Sequence, residues 1–350
     1  MPAYPPADAL TDHLADAVRQ AETARYTAIL GRDELRSAFA AALSETYGGS
    51  VAPDQVAITA GCNQAFCLAL MALAGPGDEV ILPAPCYFNH RMWLEMLGVS
   101  PVFLPFRPER GGVPDPADAS ARITPRTRAI VLVTPNNPTG AIYPPEAIHG
   151  FHGLAREAGI ALVLDETYRD FLPGDTPPHG LFARADWDET LVHLYSFSKV
   201  YGLTGYRVGA VAAAPALLAE IVKAADCVAI CAPAIAQEAA LFGLRRLAGF
   251  RAEKRRQVLE RVARFRALFE RRNLAYELVS AGAFFAYVRH PFADMTAGDV
   301  ARRLAVHENV LCLPGSAFGP DQERYLRFAL ATIDDDGMAA LGARLQASQS

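Results

Sequence analysis

Residues 161–168 read ALVLDETY, and this short stretch decides the fold prediction. Four apolar residues without a polar break are typical of a strand that is buried on both faces of a parallel sheet. Residues 190–194 form a second apolar run, and the polar segment SFSK follows at residues 196–199. In open α/β sheets, polar residues at the carboxyl ends of strands face the ligand. The two stretches therefore predict an α/β fold with a site at one edge of its sheet.

The flanking sequence repeats the alternation of strand and helix patterns that builds such a sheet. The predicted strands before the C-terminal part are residues 56–59, 79–82, 101–104, 129–134, 161–164, 190–194 and 206–213. The predicted helices of the same part are residues 63–74, 88–97 and 145–158. An Arg-rich helical pattern then runs from residue 234 to residue 273. The C-terminal patterns are strands at residues 284–288, 310–313 and 325–329, a helix at residues 297–307 and a last helix.

These patterns predict an α/β protein with a three-layer, mostly parallel sheet and a smaller α+β domain. We expect the large domain to comprise residues 31–247. The small domain then comprises residues 1–30 together with residues 248–350. No repeat and no low-complexity linker interrupts the chain.

Composition and charge exclude several classes of protein. The 350 residues are 51% hydrophobic and 20% charged, which is ordinary for a globular protein. Lys and Arg number 33 and Asp and Glu number 38, so the net charge of −5 provides no basic field for nucleic acid or an anionic membrane. The longest apolar run, residues 65–74, is about half of a membrane span. Residues 1–10 contain no signal-peptide pattern, so the sequence predicts a cytoplasmic protein without membrane or nucleic-acid partners.

Few residues are candidates for amine or buried-acid chemistry. Among only three lysines, Lys199, Lys223 and Lys254, Lys199 follows a predicted buried strand, where loss of water lowers the pKa of an amine and makes it a nucleophile. Asp165 also follows a buried strand and needs a cationic partner there. A plain salt bridge is the alternative interpretation for these two residues. The six cysteines form no Cys-x-x-Cys pair, and we predict no metal site.

A second set of residues is suited to an anion. Ser196, Ser198, Arg207 and the helix-opening amides at Gly61 and Cys62 supply the donors that a dianionic phosphate needs. A cofactor that carries a ring cation, an aldehyde and a phosphate would satisfy the buried acid, the amine and these donors together. Pyridoxal phosphate has these features.

With these motifs the sequence resembles the fold-type I pyridoxal-phosphate enzymes, and among them the class I/II aminotransferases, over nearly the whole chain. The resemblance implies an aminotransferase that depends on pyridoxal 5′-phosphate. The motifs that carry it stand in the family order: Tyr26 before GRDELR (31–36), TAGCNQA (59–65), PCY (85–87), NNPTG (136–140), DETY (165–168), SFSKVYGLTGYRVG (196–209), PGSAFG (314–319) and RFA (327–329).

The resemblance implies a role for each residue around the ring of the cofactor. Lys199 forms the internal aldimine and then carries the proton between the substrate Cα and the cofactor C4′. Asp165 keeps the pyridine nitrogen protonated, which makes the ring an electron sink. Asn137 and Tyr168 hydrogen-bond the 3′-oxygen, and Tyr87 stacks on the ring face. Lys199, Asp165 and Tyr168 are thus the implied catalytic residues.

The resemblance also implies the contacts of the phosphate. Gly61, Cys62, Ser196 and Arg207 match its ligands within the chain. Ser198 matches another ligand, with a hydrogen bond to its own turn as the alternative.

Further contacts concern the substrate and the partner subunit. Arg327, with Asn137 beside it, matches the arginine that grips the substrate α-carboxylate, and Arg324 is the rival candidate. Tyr26 resembles the tyrosine that reaches the phosphate of the neighbouring subunit, so the implied assembly is a homodimer with shared active sites. The implied substrates are an amino acid and a 2-oxo acid. The segment before Tyr26 is short for the family, and residues 4–6 match a remnant of its N-terminal arm.

Two features favour a neutral, aromatic or thioether-bearing amino acid as the donor. Asn63 stands where some relatives that take acidic substrates have a basic residue. Residues 227–236, which resemble the partner-subunit loop of the family, contain no arginine.

Other functions remain open at this stage. The same cofactor apparatus serves carbon–sulfur β-lyases, cyclopropane-forming synthases and acyltransferases. A non-catalytic pyridoxal-phosphate-binding regulator is less favoured, because the chain has no basic helix-turn-helix module. A nucleotide-binding dehydrogenase is not indicated, since no GxGxxG pattern follows a strand.

Overall fold

A computed structural model describes residues 2–271 and 274–349 and contains two sheets. The strands are β1 (Val56–Thr59), β2 (Glu79–Pro83), β3 (Ser100–Leu104), β4 (Thr127–Val133), β5 (Ala161–Asp165), β6 (Leu191–Ser196), β7 (Gly209–Ala212), β8 (Glu277–Gly282), β9 (Phe285–Arg289), β10 (Leu313–Pro314) and β11 (Tyr325–Ala329). The α-helices are α1 (Asp8–Ala17), α2 (Asp33–Tyr47), α3 (Cys62–Leu73), α4 (Phe88–Met96), α5 (Pro116–Ser120), α6 (Pro145–Glu157), α7 (Pro215–Val228), α8 (Ala234–Arg246), α9 (Ala248–Arg271), α10 (Ala297–Glu308) and α11 (Asp335–Ala347).

The larger sheet has seven strands in the order β1-β7-β6-β5-β4-β2-β3. All neighbouring strands run parallel except those next to β7, which is antiparallel to both β1 and β6. An antiparallel neighbour needs no crossover helix, so the chain returns from β6 to β7 through residues 197–208 alone. Both ends of that connection therefore lie at the same edge of the sheet.

The central strands are apolar at successive positions because each face of the sheet contacts a different core. In β5, Leu162 and Leu164 join one buried cluster, and Val163 between them joins the other. Helices α2, α6 and α8 contribute to the first cluster, and α3 and α7 contribute to the second. The sheet is thus a middle layer between two layers of helices, as predicted.

The smaller sheet has the order β10-β11-β9-β8 and is antiparallel throughout. A separate cluster of buried apolar side chains from α9, α10 and α11 packs with it. The prediction of a mostly parallel sheet with a smaller α+β part is confirmed. Along the described ranges, no helix has the length and apolar character needed to cross a membrane.

Several predicted elements differ from the structure. The helix predicted over residues 234–273 is two helices, because Leu247 leaves helical geometry (φ −111°, ψ 32°) as its side chain is buried between α8 and α9. The end of that prediction, at residue 273, lies outside the described residues. The strand predicted over residues 310–313 pairs only at Leu313–Pro314. The break at Leu247 coincides with the predicted boundary between residues 31–247 and 248–350, and the domain division itself stays a prediction.

Candidate active site

The candidate residues lie at the carboxyl edge of the larger sheet. Asp165 is the last residue of β5, and Lys199 follows β6 within the turn at residues 197–208. Arg207 ends the same turn, next to β7, with a positive φ of 59°. Gly61 lies between β1 and the first residue of α3, and β1 is the neighbour of β7 in the sheet. The topology therefore brings an acid, an amine, a guanidinium group and a helix N-terminus to one edge.

Asp165 is buried, with 5% of its surface exposed. Its Oδ1 accepts the backbone N–H of Thr167 at 2.9 Å, and its Oδ2 lies 3.6 Å from Nε2 of His90. Burial alone raises the pKa of the Asp165 carboxyl, but His90 and Thr167 outweigh burial and hold that pKa below its usual value. The carboxylate is thus an anion, and its Oδ2 faces the ring of His90. Such an anion is suited to a cation in the site.

His90 is a site residue that sequence reasoning missed. It lies in the first turn of α4, is buried, and stacks on Phe66 with a centroid distance of 3.9 Å and an interplanar angle of 20°. Its ring also meets the ring of Tyr87 edge-on at 5.3 Å. A local signal existed, because residues three positions apart lie on the same side of a helix and Tyr87 was already a candidate.

Lys199 is partly buried, and its surroundings favour the neutral amine. Burial lowers the pKa of the Lys199 amine, and the positive charge of Arg207 lowers it further, while Cys62 and Asp165 act in the opposite direction. Nζ lies 5.8 Å from the centre of the Tyr168 ring. A partly buried amine beside a guanidinium group is a better nucleophile than an exposed lysine.

The other two lysines lie in different surroundings. Lys223 is exposed and pairs with Glu220 at 2.7 Å. Lys254 pairs with Glu253 at 3.0 Å. Of the three lysines, Lys199 is the one at the carboxyl edge of the larger sheet.

The start of α3 and Arg207 form a cradle from which a side chain is excluded. A Cβ at Gly61 would collide with the guanidinium group of Arg207, and Gly61 also has a positive φ of 86°. A Cβ at Gly209 would come within 2.6 Å of the backbone nitrogen of Cys62. Among the residues that the structure describes, no side chain caps the N-terminus of α3, so its first N–H groups are available to an anion.

The two serines of this region are buried and differ in their contacts. Ser196 Oγ accepts the backbone N–H of Ser198 at 3.3 Å. Ser198 Oγ has no hydrogen-bond partner within the described residues. The alternative that Ser198 bonds the backbone of its own turn is therefore not what the structure contains, since Ser196 makes that kind of bond. A buried hydroxyl without a partner fits a ligand oxygen.

The side chain of Tyr87 is held by two amides. Asn89 Nδ2 donates to the Tyr87 hydroxyl at 2.8 Å, and Asn63 also hydrogen-bonds that hydroxyl. Burial raises the pKa of Tyr87, so the phenol stays protonated. Burial raises the pKa of Tyr168 as well, and the charge of Asp165 raises it further. Tyr168 is therefore a phenol donor next to Asp165.

Arg327 projects from β11 towards Asn137. Its Nη1 donates to Asn137 Oδ1 at 3.2 Å, and its guanidinium carbon lies 4.9 Å from the Phe285 ring centre and 5.0 Å from that of Phe318. Within the described residues, Arg327 has no carboxylate at ion-pair distance and its buried Nε has no partner. A guanidinium group in this state is suited to an incoming carboxylate. Arg324, the rival candidate, instead donates to the backbone oxygen of His290 at 3.1 Å.

The neighbouring Asn136 shapes the turn. Its Oδ1 accepts the backbone N–H of Thr139 at 3.1 Å and the hydroxyl of Thr139 at 2.9 Å. The next residue, Asn137, contacts Arg327 instead. The structure does not bring Tyr26 to this group: its side chain is 77% exposed.

Glu166, the residue after Asp165, belongs to a buried polar cluster in which its Oε2 is hydrogen-bonded and its Oε1 has no partner within the described residues. Its Oε2 accepts hydrogen bonds from the Tyr47 hydroxyl, from His193 Nε2 at 2.9 Å and from His179 Nε2 at 3.3 Å. His179 Nδ1 accepts the backbone N–H of Leu181 at 3.2 Å, which places the ring proton on Nε2. Burial alone raises the pKa of Glu166, but the two histidines outweigh burial and hold it well below its usual range.

Taken together, these groups fit pyridoxal phosphate. The unpartnered Ser198 hydroxyl, the N-terminus of α3 and Arg207 suit its phosphate, and the ionised carboxylate of Asp165 suits its ring cation. The Lys199 amine suits its aldehyde. The fold and the site thus define a pyridoxal-phosphate-dependent enzyme that also accepts a carboxylate.

Comparison with known proteins agrees with this class. The family described as aminotransferase class I and II matches residues 2–345. The protein YugH of Bacillus subtilis (strain 168), whose aminotransferase designation is provisional, is 33% identical over 90% of this chain and 82% of its own. The aromatic aminotransferase ISS1 of Arabidopsis thaliana is 30% identical over 90% of this chain and 79% of its own. The solved aspartate aminotransferase of Thermus thermophilus with maleate is 28% identical with a TM-score of 0.89, covering 98% of this chain and 88% of that chain.

The chain belongs to the class I and II aminotransferases. It is therefore a pyridoxal-phosphate-dependent transferase that acts on an amino acid and a 2-oxo acid, as the sequence predicted. The prediction that the protein is an enzyme of this family is confirmed.

Proposed function

We propose that Lys199 is the residue through which this aminotransferase moves the amino group of an L-amino acid to a 2-oxo acid. The observation that carries the proposal is the placement of its partly buried amine at the carboxyl edge of the larger sheet, where burial and the charge of Arg207 lower the pKa of that amine. Its Nζ would hold the aldehyde group of pyridoxal phosphate, and the same amine would take the proton from Cα of the donor.

Pyridoxal phosphate supplies an aldehyde and a ring that accepts the electron pair left when the Cα proton departs. The ionised carboxylate of Asp165 stabilises positive charge on a ring nitrogen. The phenol of Tyr168 and the amide of Asn137 would donate to a ring oxygen, and Tyr87 would stack on the ring. These residues orient the group and exclude water from it.

The phosphate contacts follow from the cradle at the sheet edge. Cys62 offers a backbone N–H group at the start of α3, and Ser196, Ser198 and Arg207 offer side-chain donors, whereas the N–H of Gly61 already donates to the backbone oxygen of Thr59 at 2.8 Å. Arg207 combines this contact with its effect on Lys199, since its charge helps to lower the pKa of that amine.

Substrate recognition is proposed to rest on Arg327. Its guanidinium group is half-buried, lies 4.9 Å from the Phe285 ring centre and 5.0 Å from that of Phe318, and pairs with no carboxylate of the described residues, so an α-carboxylate gains a charged partner there. With Asn63 exposed and uncharged at the mouth of the site, we propose a neutral donor, aromatic or thioether-bearing, rather than a dicarboxylate.

The proposed assembly is a homodimer in which Tyr26 of each subunit reaches the phosphate of the other. The exposed ring of Tyr26 supports this proposal, because an aromatic side chain with 77% of its surface in water has no packing role in its own chain. A groove of about 190 Å³ lined by Phe66, Trp93 and Met96 also exposes apolar surface for a second copy. Chemical cross-linking of dilute protein tests for the dimer. A mixture of the Tyr26→Phe chain with the inactive Lys199→Ala chain tests whether the two subunits share their active sites.

Borohydride reduction of the holoprotein tests the role of Lys199. Reduction should fix the cofactor on Lys199, and peptide mass analysis should find the label there. Lys199→Ala should remain folded and lose the visible absorption of the attached cofactor, whereas Lys223→Ala, at an exposed ion pair, should keep it. A label on another lysine, or none, would overturn the proposal.

A panel of donors tests the substrate proposal. L-phenylalanine, L-methionine, L-alanine and L-aspartate are each paired with pyruvate and with 2-oxoglutarate, and kcat/KM is measured. We expect L-phenylalanine or L-methionine to react fastest. Activity restricted to L-aspartate contradicts the proposal of a neutral donor but leaves the role of Lys199 intact.

A further inference from the structure

The N-terminal segment touches the backbone of Lys199. The hydroxyl of Tyr4 donates to the backbone oxygen of Lys199 at 2.7 Å, across 195 residues of sequence. Burial raises the pKa of Tyr4, so its hydroxyl stays protonated and remains a donor. A short bond from a protonated phenol to a carbonyl is a good hydrogen bond.

The backbone at Lys199 has little other support. Residues 197–208 form an irregular turn between β6 and β7, outside any helix or strand. Within residues 2–271 and 274–349, the other donor to the Lys199 carbonyl is the N–H of Gly202, at the long distance of 3.5 Å. Since hydrogen bonds weaken steeply with distance, the Tyr4 hydroxyl is the main restraint on this carbonyl.

Tyr4 is itself held from the opposite side. Its ring meets Phe250 of α9 edge-on, with 5.9 Å between centroids and an interplanar angle of 79°. Nζ of Lys254 lies 5.3 Å from the centre of the Tyr4 ring. The ring therefore has packing and cation–π contacts that do not depend on its hydroxyl.

The two prolines after Tyr4 lie directly on the turn. A Cβ at Gly202 would come within 2.9 Å of the backbone of Pro5 and Pro6, and Gly202 has a positive φ of 70°. Only a residue without a side chain allows this approach. Residues 4–6 thus form a strap across the turn, anchored on α9 at one end and continuing towards α1 at the other.

We propose that Tyr4 is a positioning residue that holds the backbone of Lys199, and thereby its amine, in place for proton transfer. The inference rests on the proposed role of Lys199. Because Tyr4 acts on the carbonyl and not on the amine, it restricts the turn while the lysine side chain stays free to swing between cofactor and substrate. Loss of the hydroxyl frees the turn without removing any group that touches the substrate.

The test compares Tyr4→Phe with the native chain. The variant loses one oxygen atom and keeps the ring against Phe250 and Lys254. Tyr276→Phe is the matched control, because it also loses a phenol hydroxyl that makes a hydrogen bond of 2.8 Å. The partner is Ser348, and the two residues lie next to β8 and α11, not in the turn at residues 197–208. Equal thermal midpoints of the two variants, within about 3 °C, establish that both are folded.

Two measurements report on the proposal. Hydrogen exchange of peptides covering residues 197–206 is followed in the cofactor-free protein, and it should be about 2- to 10-fold faster in Tyr4→Phe and unchanged in Tyr276→Phe. In the holoenzyme, kcat with L-phenylalanine and with L-aspartate should fall by about the same factor at constant KM. The isotope effect on kcat from α-deuterated donor should rise, because proton transfer becomes slower.

The outcomes separate this inference from the function on which it rests. Unchanged exchange and unchanged kcat in Tyr4→Phe overturn the role of Tyr4, even when borohydride labels Lys199. If both variants slow the enzyme equally, the effect is general and the inference is also wrong. If borohydride labels another residue, the proposed function fails, and the exchange measurement still decides whether the hydroxyl restrains the turn.

Discussion

Asp165 and Glu166 are consecutive buried acids that the structure treats in opposite ways. Asp165 is the last residue of β5, at the carboxyl edge of the larger sheet, and its Oδ2 lies 3.6 Å from Nε2 of His90. Glu166 faces the other way, where Tyr47, His179 and His193 all donate to its Oε2. The pKa of each carboxyl is held below its usual value by its neighbours, against the effect of burial. Both are therefore anions, but the charge of Asp165 acts on Lys199 and Tyr168 at the candidate site, whereas that of Glu166 is surrounded by buried side chains.

The difference separates a binding acid from a structural acid. Residues adjacent in a chain alternate between faces, so one short segment supplies both. The cluster around Glu166 packs against the segment that contains Asp165 and Tyr168, on the side away from the site. We expect substitutions at Asp165 to change activity and substitutions at Glu166 to change stability.

The largest effect is expected for Asp165→Asn. The amide has the same shape but no charge, so positive charge on the ring of the cofactor is no longer stabilised, and kcat should fall by about 10³-fold. Steady-state kinetics with the best donor of the panel measures the loss. Asp175→Asn, at a surface position, is the control and should retain full activity. A loss below about tenfold would place Asp165 with the structural acids.

Glu166→Gln should mainly destabilise the protein, by about 3 kcal/mol at pH 7, because it removes one charge from a buried network. The pH dependence has a defined sign. The native carboxyl stays ionised where the unfolded one takes up a proton, so the native chain loses stability as pH falls below about 4.5. Gln does not titrate, and the stability gap between the two chains should shrink by up to about 1.4 kcal/mol per pH unit there.

Urea unfolding of the cofactor-free protein between pH 7 and pH 3 measures this gap, and kcat of the folded variant is measured at pH 7. A gap that stays constant with pH contradicts the assignment of an ionised Glu166. A loss of kcat as large as that of Asp165→Asn removes the distinction between the two acids.

The smallest effect is expected for His90→Phe. Phe keeps the stacking on Phe66 but removes the ring nitrogen beside Asp165, so the pKa of Asp165 should rise and kcat should fall by roughly 5-fold. Since Asp165 must be ionised, the acid limb of the pH–rate profile should move to higher pH. A profile that does not move shows that His90 acts by packing alone.

The fold and the residues Lys199 and Asp165 can be predicted from local sequence, but the partners of Glu166 cannot. A strand buried on both faces is apolar at every position, so β4, β5 and β6 can be recognised from local sequence. Lys199 and Asp165 stand directly after such strands and were candidates for the same reason. The partners of Glu166 come from α2, from a connecting segment and from β6, and Tyr47 is 119 residues away in sequence. No local pattern predicts that contact.

Other features could be recognised only once the three-dimensional structure was known. The boundary at Leu247 depends on burial of its side chain between two helices, whereas its sequence neighbourhood is uniformly helical. The bond from Tyr4 to Lys199 joins the beginning of the chain to its middle and has no sequence signal. His90 is the exception, because its spacing from Tyr87 was visible and was not used.

The antiparallel β7 has a consequence for how this enzyme can change over evolution. A connection that crosses the sheet through a helix can absorb an added or deleted residue in its solvent-exposed loops. The turn between β6 and β7 cannot, because Lys199 stands near its beginning and Arg207 at its end, and the charge of Arg207 acts on the amine. One extra residue would shift these two groups relative to each other. Among descendants of this chain, insertions and deletions should therefore be tolerated less in the turn between β6 and β7 than in almost any other connection.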